Sequence, residues 1–276
     1  METQDHSGEK IRPPVVGGIF YPEDPEALCQ KLASWGLTKS PSCPGFGGQA
    51  IIAPHGAWDI SGDLAAAAFA AVQPGISRVL LLGPHHSPEG EGIYLTESAS
   101  FETPLGPLPV DRQLNYKLAS CSALITINDI PHLSEHSLEV LLPMVKYCFD
   151  GVKIVPILVN GRRPALISAL ANALRMVLSE CFDESLIVIS NCVSRDFDEA
   201  LALSMAHEFC WQLEKMDSRA FLAGLEEGCI SACGGGLVAA LIESGLLADK
   251  HFNSLGPLSK TKGGLGETIY YGAFRA

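Results

Sequence analysis

Short uninterrupted apolar runs alternate along this chain with segments whose apolar positions recur every three to four residues. Runs at 50–53, 78–82, 153–159 and 186–190 read as strands covered on both faces, because a half-exposed strand would alternate apolar with polar residues. Helical spacing covers 25–35, 61–72, 164–180, 196–215, 218–226 and 234–244, and a further helix begins near Asp111. Asp24 and Pro25 form a capping start for the first of these. The stretch 136–149 also reads as helical, with Pro143 expected to kink it. Residues 92–110 read as short strands turning at Pro104-Leu105-Gly106, residues 40–48 as a loop, and 269–274 as a closing strand.

Strands alternating with helices predict an α/β chain: one domain, a three-layer sandwich with a mainly parallel central sheet covered by helices. Residues 1–11 are expected to be a flexible lead and 12–276 the domain. Neither a linker nor an internal repeat divides the 276 residues.

A hydrophobic fraction of 47% against 18% charged residues supports a large core rather than a disordered chain. The formal charge of -12 argues against nucleic acid and anionic membrane surfaces as partners. The first ten residues are too polar for a signal peptide, and no run approaches the ~20 apolar residues that span a bilayer. Nine scattered cysteines without a C-x-x-C pair read as reduced thiols, so a cytoplasmic setting is expected.

The candidate chemistry sits where strands end, since connecting loops converge at the carboxyl edge of such sheets. One strand runs into Pro54-His55, another into Gly83-Pro84-His85-His86, and a third into Asn191-Cys192. A single strand-end histidine is better explained by a backbone carbonyl partner; two in one chain point to a common pocket. Cys233 opens Cys233-Gly234-Gly235-Gly236 before an apolar helix, a position that favours thiolate, although packing beside close-approaching glycines would explain it equally. His132, Glu135, His136 and Glu139 form the densest titratable cluster. On a helix, His136 and Glu139 would share a face and could bind metal or move protons. The alternative is a helix start rich in acids, and the order does not match a zinc-peptidase H-E-x-x-H.

Taken together, these segments resemble the Memo-like family, also met as protein B of the AmmeMemoRadiSam system. The resemblance rests on Arg12-Pro13 with Phe20-Tyr21-Pro22, and on Ala53-Pro54-His55-Gly56-Ala57-Trp58 with Ser61-Gly62. It continues through Gly83-Pro84-His85-His86, Thr103-Pro104-Leu105-Gly106, Glu135-His136-Ser137-Leu138-Glu139 with Pro143, and Cys233-Gly234. It implies a fold like that of LigB-type extradiol non-heme iron dioxygenases. It also implies a metal set of His55, His86 and Cys233 for copper or iron, with zinc as alternative, and redox activity. From their shared helix face, His136 and Glu139 are the expected catalytic pair. Phe20, Trp58, His85, Cys192 and Arg195 are expected to meet a small molecule or peptide. A functional link to AMMECR-type and radical SAM proteins is implied as well.

One segment departs from the family pattern. Where S-S-D-x-S-H is usual, this chain has Ser190-Asn191-Cys192-Val193-Ser194-Arg195. The acid is replaced by Cys192 and the histidine by Arg195, which removes a general acid–base pair. Enzymatic activity is therefore left open. The readings carried forward are a metal-binding redox protein, a catalytically inactive binding module for a peptide or small anion, and a dioxygenase-type enzyme. If Cys192 lies beside Cys233, a four-ligand zinc site or a disulfide is a further expectation.

Overall fold

The computed structural model describes residues 3–4, 9–39, 49–87 and 90–276. The expected loop at 40–48 lies outside the described residues. The central sheet, among these residues, has eight strands: β1 (Gln49–Ala53), β2 (Arg78–Pro84), β3 (Gly92–Leu95), β4 (Ile125–Ile127), β5 (Lys153–Asn160), β6 (Ser185–Ser190), β7 (Asn253–Ser254) and β8 (Phe274–Arg275). Their spatial order is β7-β8-β1-β6-β2-β5-β3-β4. The central pairs β1–β6, β6–β2 and β2–β5 are parallel, as is β3–β4. Antiparallel pairs, β5–β3 on one side and β1–β8–β7 on the other, flank them.

The apolar runs are buried on both faces, and alternate residues serve different layers. Ala50, Ile52, Leu80, Leu82, Ile187 and Ile189 face one core with helices α3 (Arg112–Ser120), α6 (Pro164–Leu178), α7 (Glu199–Lys215), α8 (Ser218–Glu226) and α9 (Gly235–Ser244). Ile51, Ala53, Val79, Leu81, Leu186 and Val188 face the other with α1 (Pro25–Ser34), α2 (Trp58–Ala70) and α5 (Leu142–Cys148). This period-2 partition is what a pleated strand imposes when each face meets a helix layer. The chain is thus an α/β sandwich of three layers, as its pattern predicts. No helix of the described residues is long and apolar enough to cross a membrane.

The helix starts follow the caps in the sequence. Asp24 accepts from Ala27 N at 2.8 Å, Asp111 from Leu114 N at 3.1 Å, and Asp198 from Ala200 N at 2.8 Å. The Asp198 cap moves the start of α7 three residues beyond the expected 196, and Ser194–Asp196 instead pairs with Thr268–Tyr271. The closing strand at 269–274 is two strands in two sheets. The chain breaks at Gly272, where a Cβ would sit 2.8 Å from Leu258.

Two further expectations are corrected. The lead does not extend to residue 11: Lys10–Arg12 is a strand, paired with Thr3–Gln4 on one side and Ser100–Phe101 on the other. The stretch 136–149 is not one helix. A short helix α4 (Ile130–Ser134) ends before Glu135, which is extended; a 3-10 turn covers Glu139–Leu141, and α5 follows. Pro143 lies in the first turn of α5, where a missing N–H costs nothing, so it starts that helix instead of kinking it.

The reason for the interruption is Glu139. Its side chain is 1% exposed and forms an ion pair with the buried Arg12 guanidinium. It also accepts from Val15 N at 2.8 Å, Val16 N at 2.8 Å and the Tyr21 hydroxyl at 2.9 Å. Arg12 in turn donates to the carbonyls of His132 at 2.9 Å and Glu135 at 3.0 Å. Burial and the neighbouring Glu139 carboxylate push the Tyr21 phenol well above its ordinary value, so it stays a donor.

Glu139→Gln should leave the buried Arg12 charge without its counterion. A loss of about 3–5 kcal/mol is expected from breaking one side of such a pair, read as a lower urea midpoint with an unchanged slope. A midpoint shift below the scatter of surface variants would show that the pair does not organise this region.

Candidate metal centre

Three central strands deliver the functional side chains to one edge of the sheet. β1 ends in Pro54-His55, β2 in His85-His86, and β6 in Asn191-Cys192. Cys233 arrives just before the N-terminus of α9, and His136 comes from the irregular segment after α4. Two glycines permit the convergence. A Cβ on Gly83 would meet Leu138 Cδ2 at 2.5 Å and Ser137 Oγ at 2.7 Å; one on Gly234 would meet the Ser190 carbonyl oxygen at 2.6 Å. Any larger residue would push apart the segments that carry His136 and Cys233.

His55, 4% exposed, is the hub. Its Nδ1 lies 2.7 Å from Ser190 Oγ, and Ser190 donates its single hydroxyl proton to the Ser137 carbonyl at 2.6 Å. Ser190 can therefore only accept from His55, which places a proton on Nδ1. Nε2 is left facing two sulfurs, Cys192 Sγ at 3.5 Å and Cys233 Sγ at 3.6 Å. It hydrogen-bonds them when protonated and can bind a metal when not.

His86 and His136 share one brace, the Glu135 carboxylate. Glu135 accepts from His86 N at 2.6 Å, His86 Nδ1 at 3.0 Å, His136 N at 2.9 Å and Ser137 N at 2.8 Å. His136 Nδ1 is 3.2 Å away. Burial disfavours the Glu135 charge, but the hydrogen bonds from His136 and His86 outweigh it and hold its carboxyl far below the usual range. The two rings stack with centroids 5.1 Å apart, and both lie against His55, at 5.3 and 5.8 Å.

Two donor sets result, both including His55: His55 with Cys192 and Cys233, and His55 with His86 and His136. In each, one donor atom per residue lies within 4.8 Å of the others. The cluster can hold a metal ion. His86 is also hydrogen-bonded to Cys233, but the expected set of His55, His86 and Cys233 is divided between the two donor groups.

The thiols differ. Burial opposes ionisation of Cys233, yet hydrogen bonds from Cys192, His55 and His86 and the His55 charge hold its pKa well below the ordinary value. Its hydrogen bond to Cys233, together with burial, pushes Cys192 well above it. For His86, burial lowers the pKa, but hydrogen bonds to Cys233 and Glu135 raise it to about 9. These shifts act oppositely on stability. The His86 contribution is complete below pH 6.5, its ordinary value, and is lost as pH rises through about 9. The Cys233 contribution is complete above pH 9, its ordinary value, and is lost as pH falls toward its lowered pKa.

The remaining expected residues fall as follows. Glu139 does not face the cluster; its carboxylate is consumed by Arg12, Val15, Val16 and Tyr21. His136 does not pair with Glu139: its Nδ1 lies beside Glu135, while Glu139 turns to Arg12. Phe20 does reach the site, its ring 5.0 Å from that of His136. Trp58 is a buried wall residue, donating from Nε1 to the Val140 carbonyl at 3.0 Å and packing edge-on to Trp35. The His85 ring lies against Tyr94, outside both donor sets, and burial lowers its pKa. Cys192 belongs to one donor set. The Arg195 guanidinium is more than half exposed and 3.8 Å from Glu267, although its charge still acts on Cys192. Ser190, Ser137 and Glu135 as orienting residues were not singled out from the sequence. The signals for them were a serine ending an apolar strand and an acid directly before a histidine.

Fold and site together define an α/β protein with a His/Cys donor cluster at its strand ends. The model of the Memo-like protein family matches residues 12–255, and the chain belongs to that family. A MEMO1 family protein of Thermotoga neapolitana is 30% identical over 85% of this chain and 88% of its own length. One from Thermotoga maritima is 31% identical over 84% and 87%. Among solved structures, the uncharacterized protein JW3007 of Escherichia coli K12 overlays 83% of this chain and 99% of its own. The TM-score is 0.47 and the identity 13%.

If Glu135 orients His86, Glu135→Gln should lower the His86 midpoint from about 9 toward the imidazole value of 6.5 in metal-free protein. Imidazole NMR titration reads this directly. An unmoved midpoint would assign the shift to Cys233 alone.

Proposed function

We propose that this protein binds a redox-active metal ion, copper, through His55, His86 and Cys233. The observation that carries the reading is the pinned geometry of the two imidazoles. Ser190 takes the Nδ1 proton of His55 and Glu135 that of His86, so each ring's other nitrogen is left for the pocket. Carboxylate- or hydroxyl-braced histidines of this kind are the usual second layer of metal sites. A thiolate beside them is a strong third donor.

Donor chemistry favours copper over iron. Iron sites of the dioxygenase type use two histidines and a carboxylate with open positions. Here the carboxylate beside the histidines, Glu135, is engaged by His86, His136 and Ser137. Imidazole and thiolate together suit copper, and a bound copper ion would supply one-electron redox chemistry. His136, stacked on His86 and braced by Glu135, is positioned to hold or pass a proton at the pocket side. A cleft of about 220 Å³ lined by Ile19, Phe20, Lys31, Trp58 and Asp59 adjoins it through Phe20. In this reading the cleft admits a small molecule or peptide.

Protein purified and reduced without oxygen, then loaded with copper and desalted, should retain one copper per chain by elemental analysis. His55→Ala should weaken retention by more than the roughly 10–100-fold that outer-shell changes cost. Wild-type protein that stays copper-free, or a His55→Ala variant that retains as much, would end the proposal.

A further inference from the structure

We infer that Cys192 is itself a metal ligand, joining His55 and Cys233 in a nitrogen–sulfur–sulfur set that selects a soft ion, cuprous copper. The inference rests on the copper reading above and adds a ligand at the position where this chain departs from its family's acid.

The geometry treats the two sulfurs alike. His55 Nε2 stands 3.5 Å from Cys192 Sγ and 3.6 Å from Cys233 Sγ. A tetrahedral ion with a nitrogen at ~2.0 Å and a sulfur at ~2.3 Å holds those two atoms about 3.5 Å apart. Both observed separations would let one ion reach all three donor atoms. The sulfurs are also fixed relative to each other. Cys192 N donates to Cys233 Sγ at 2.9 Å, and Cys233 N donates to the Cys192 carbonyl at 3.3 Å. Asn191 Oδ1 accepts from Gly234 N at 2.8 Å and so ties the two cysteine-bearing segments together. Both cysteines are free thiols.

The surroundings favour a soft ion. Cys192 is packed against Ile269 and Tyr271, with Leu64 and Cys233 beside them. Gathering two thiolates and one imidazole here favours cuprous copper over harder ions, which take oxygen and nitrogen. The other donor set, His55 with His86 and His136, contains no sulfur. Cys192 therefore adds a second sulfur to the one that Cys233 supplies. On binding, Cys192 releases its thiol proton to solvent and its sulfur bonds the ion, which enters as Cu(I), so no electron is transferred.

Full-length reduced protein, kept anaerobic, is loaded with Cu(I) and the sulfur neighbours of copper are counted by X-ray absorption. Affinity is measured by competition with bicinchoninate. Wild type should show two sulfurs; Cys192→Ser should show one, with affinity reduced roughly 100-fold or more, beyond an outer-shell change. Because the sulfur count is made on wild type, it stands even if the variant folds poorly. One sulfur in wild type, or unchanged affinity in Cys192→Ser, overturns the role of Cys192 and leaves the copper reading intact. Absence of any Cu(I) uptake by wild type overturns both.

Discussion

The segment from Glu135 to Leu138 leaves regular structure while largely buried, and two carboxylates hold it there. Buried backbone that leaves regular structure must find partners for its N–H and C=O groups. Glu135 supplies acceptors for the amides of His136 and Ser137, and Arg12 supplies donors for the carbonyls of His132 and Glu135. Glu139 neutralises Arg12 in turn. Buried ion pairs contribute little net stability, since desolvation offsets attraction. What this one contributes is a fixed conformation for an otherwise irregular loop. Without that loop, His136 would have no fixed place, and the Ser137 carbonyl that orients Ser190 and hence His55 would be lost.

A chain of orientation therefore runs from a guanidinium near the N-terminus to the imidazole hub. Each link is a hydrogen bond of 2.6–3.0 Å between buried groups: Arg12 to the Glu135 carbonyl, Ser190 to the Ser137 carbonyl, His55 to Ser190. In a water-poor interior such bonds are strong, and an unmet one is costly. The sulfurs on the far side of His55 are set by a separate device, the crossed backbone contacts between Cys192 and Cys233. His55 is thus gripped from both sides, with only Nε2 left to respond to what enters the pocket.

Much of this was legible in the sequence. The four parallel-sheet strands stand out because burial on both faces erases polar alternation, and the capping aspartates mark helix starts. The strand-end histidines followed from where loops converge. The errors cluster where tertiary contacts override local pattern. Residues 136–138 have helical spacing, but Glu135 and Glu139 draw more from distant partners than a helix would give them. That error carried Glu139 into the expected catalytic pair and left Glu135 out. Short strands such as Ile125–Ile127 and Ser259–Lys262 carry too few residues for a periodic signal. Trp58 and His85 sit beside donor residues in the sequence, yet the Trp58 indole bonds the Val140 carbonyl and the His85 ring lies against Tyr94.

The five donors, at positions 55, 86, 136, 192 and 233, come from segments that are far apart along the chain and meet only when the sheet is assembled. Contacts of such long sequence separation form late, because each closes a large loop before it is rewarded. A pocket of this kind differs from a zinc finger, whose ligands lie close in sequence. Thermodynamic linkage then makes occupancy a global property: an ion bound only by the native state adds RT ln(1 + [L]/Kd) to the resistance of the whole domain. Were an ion held here, its removal by a chelator would lower the unfolding free energy of the entire fold, well beyond the few side chains that touch it.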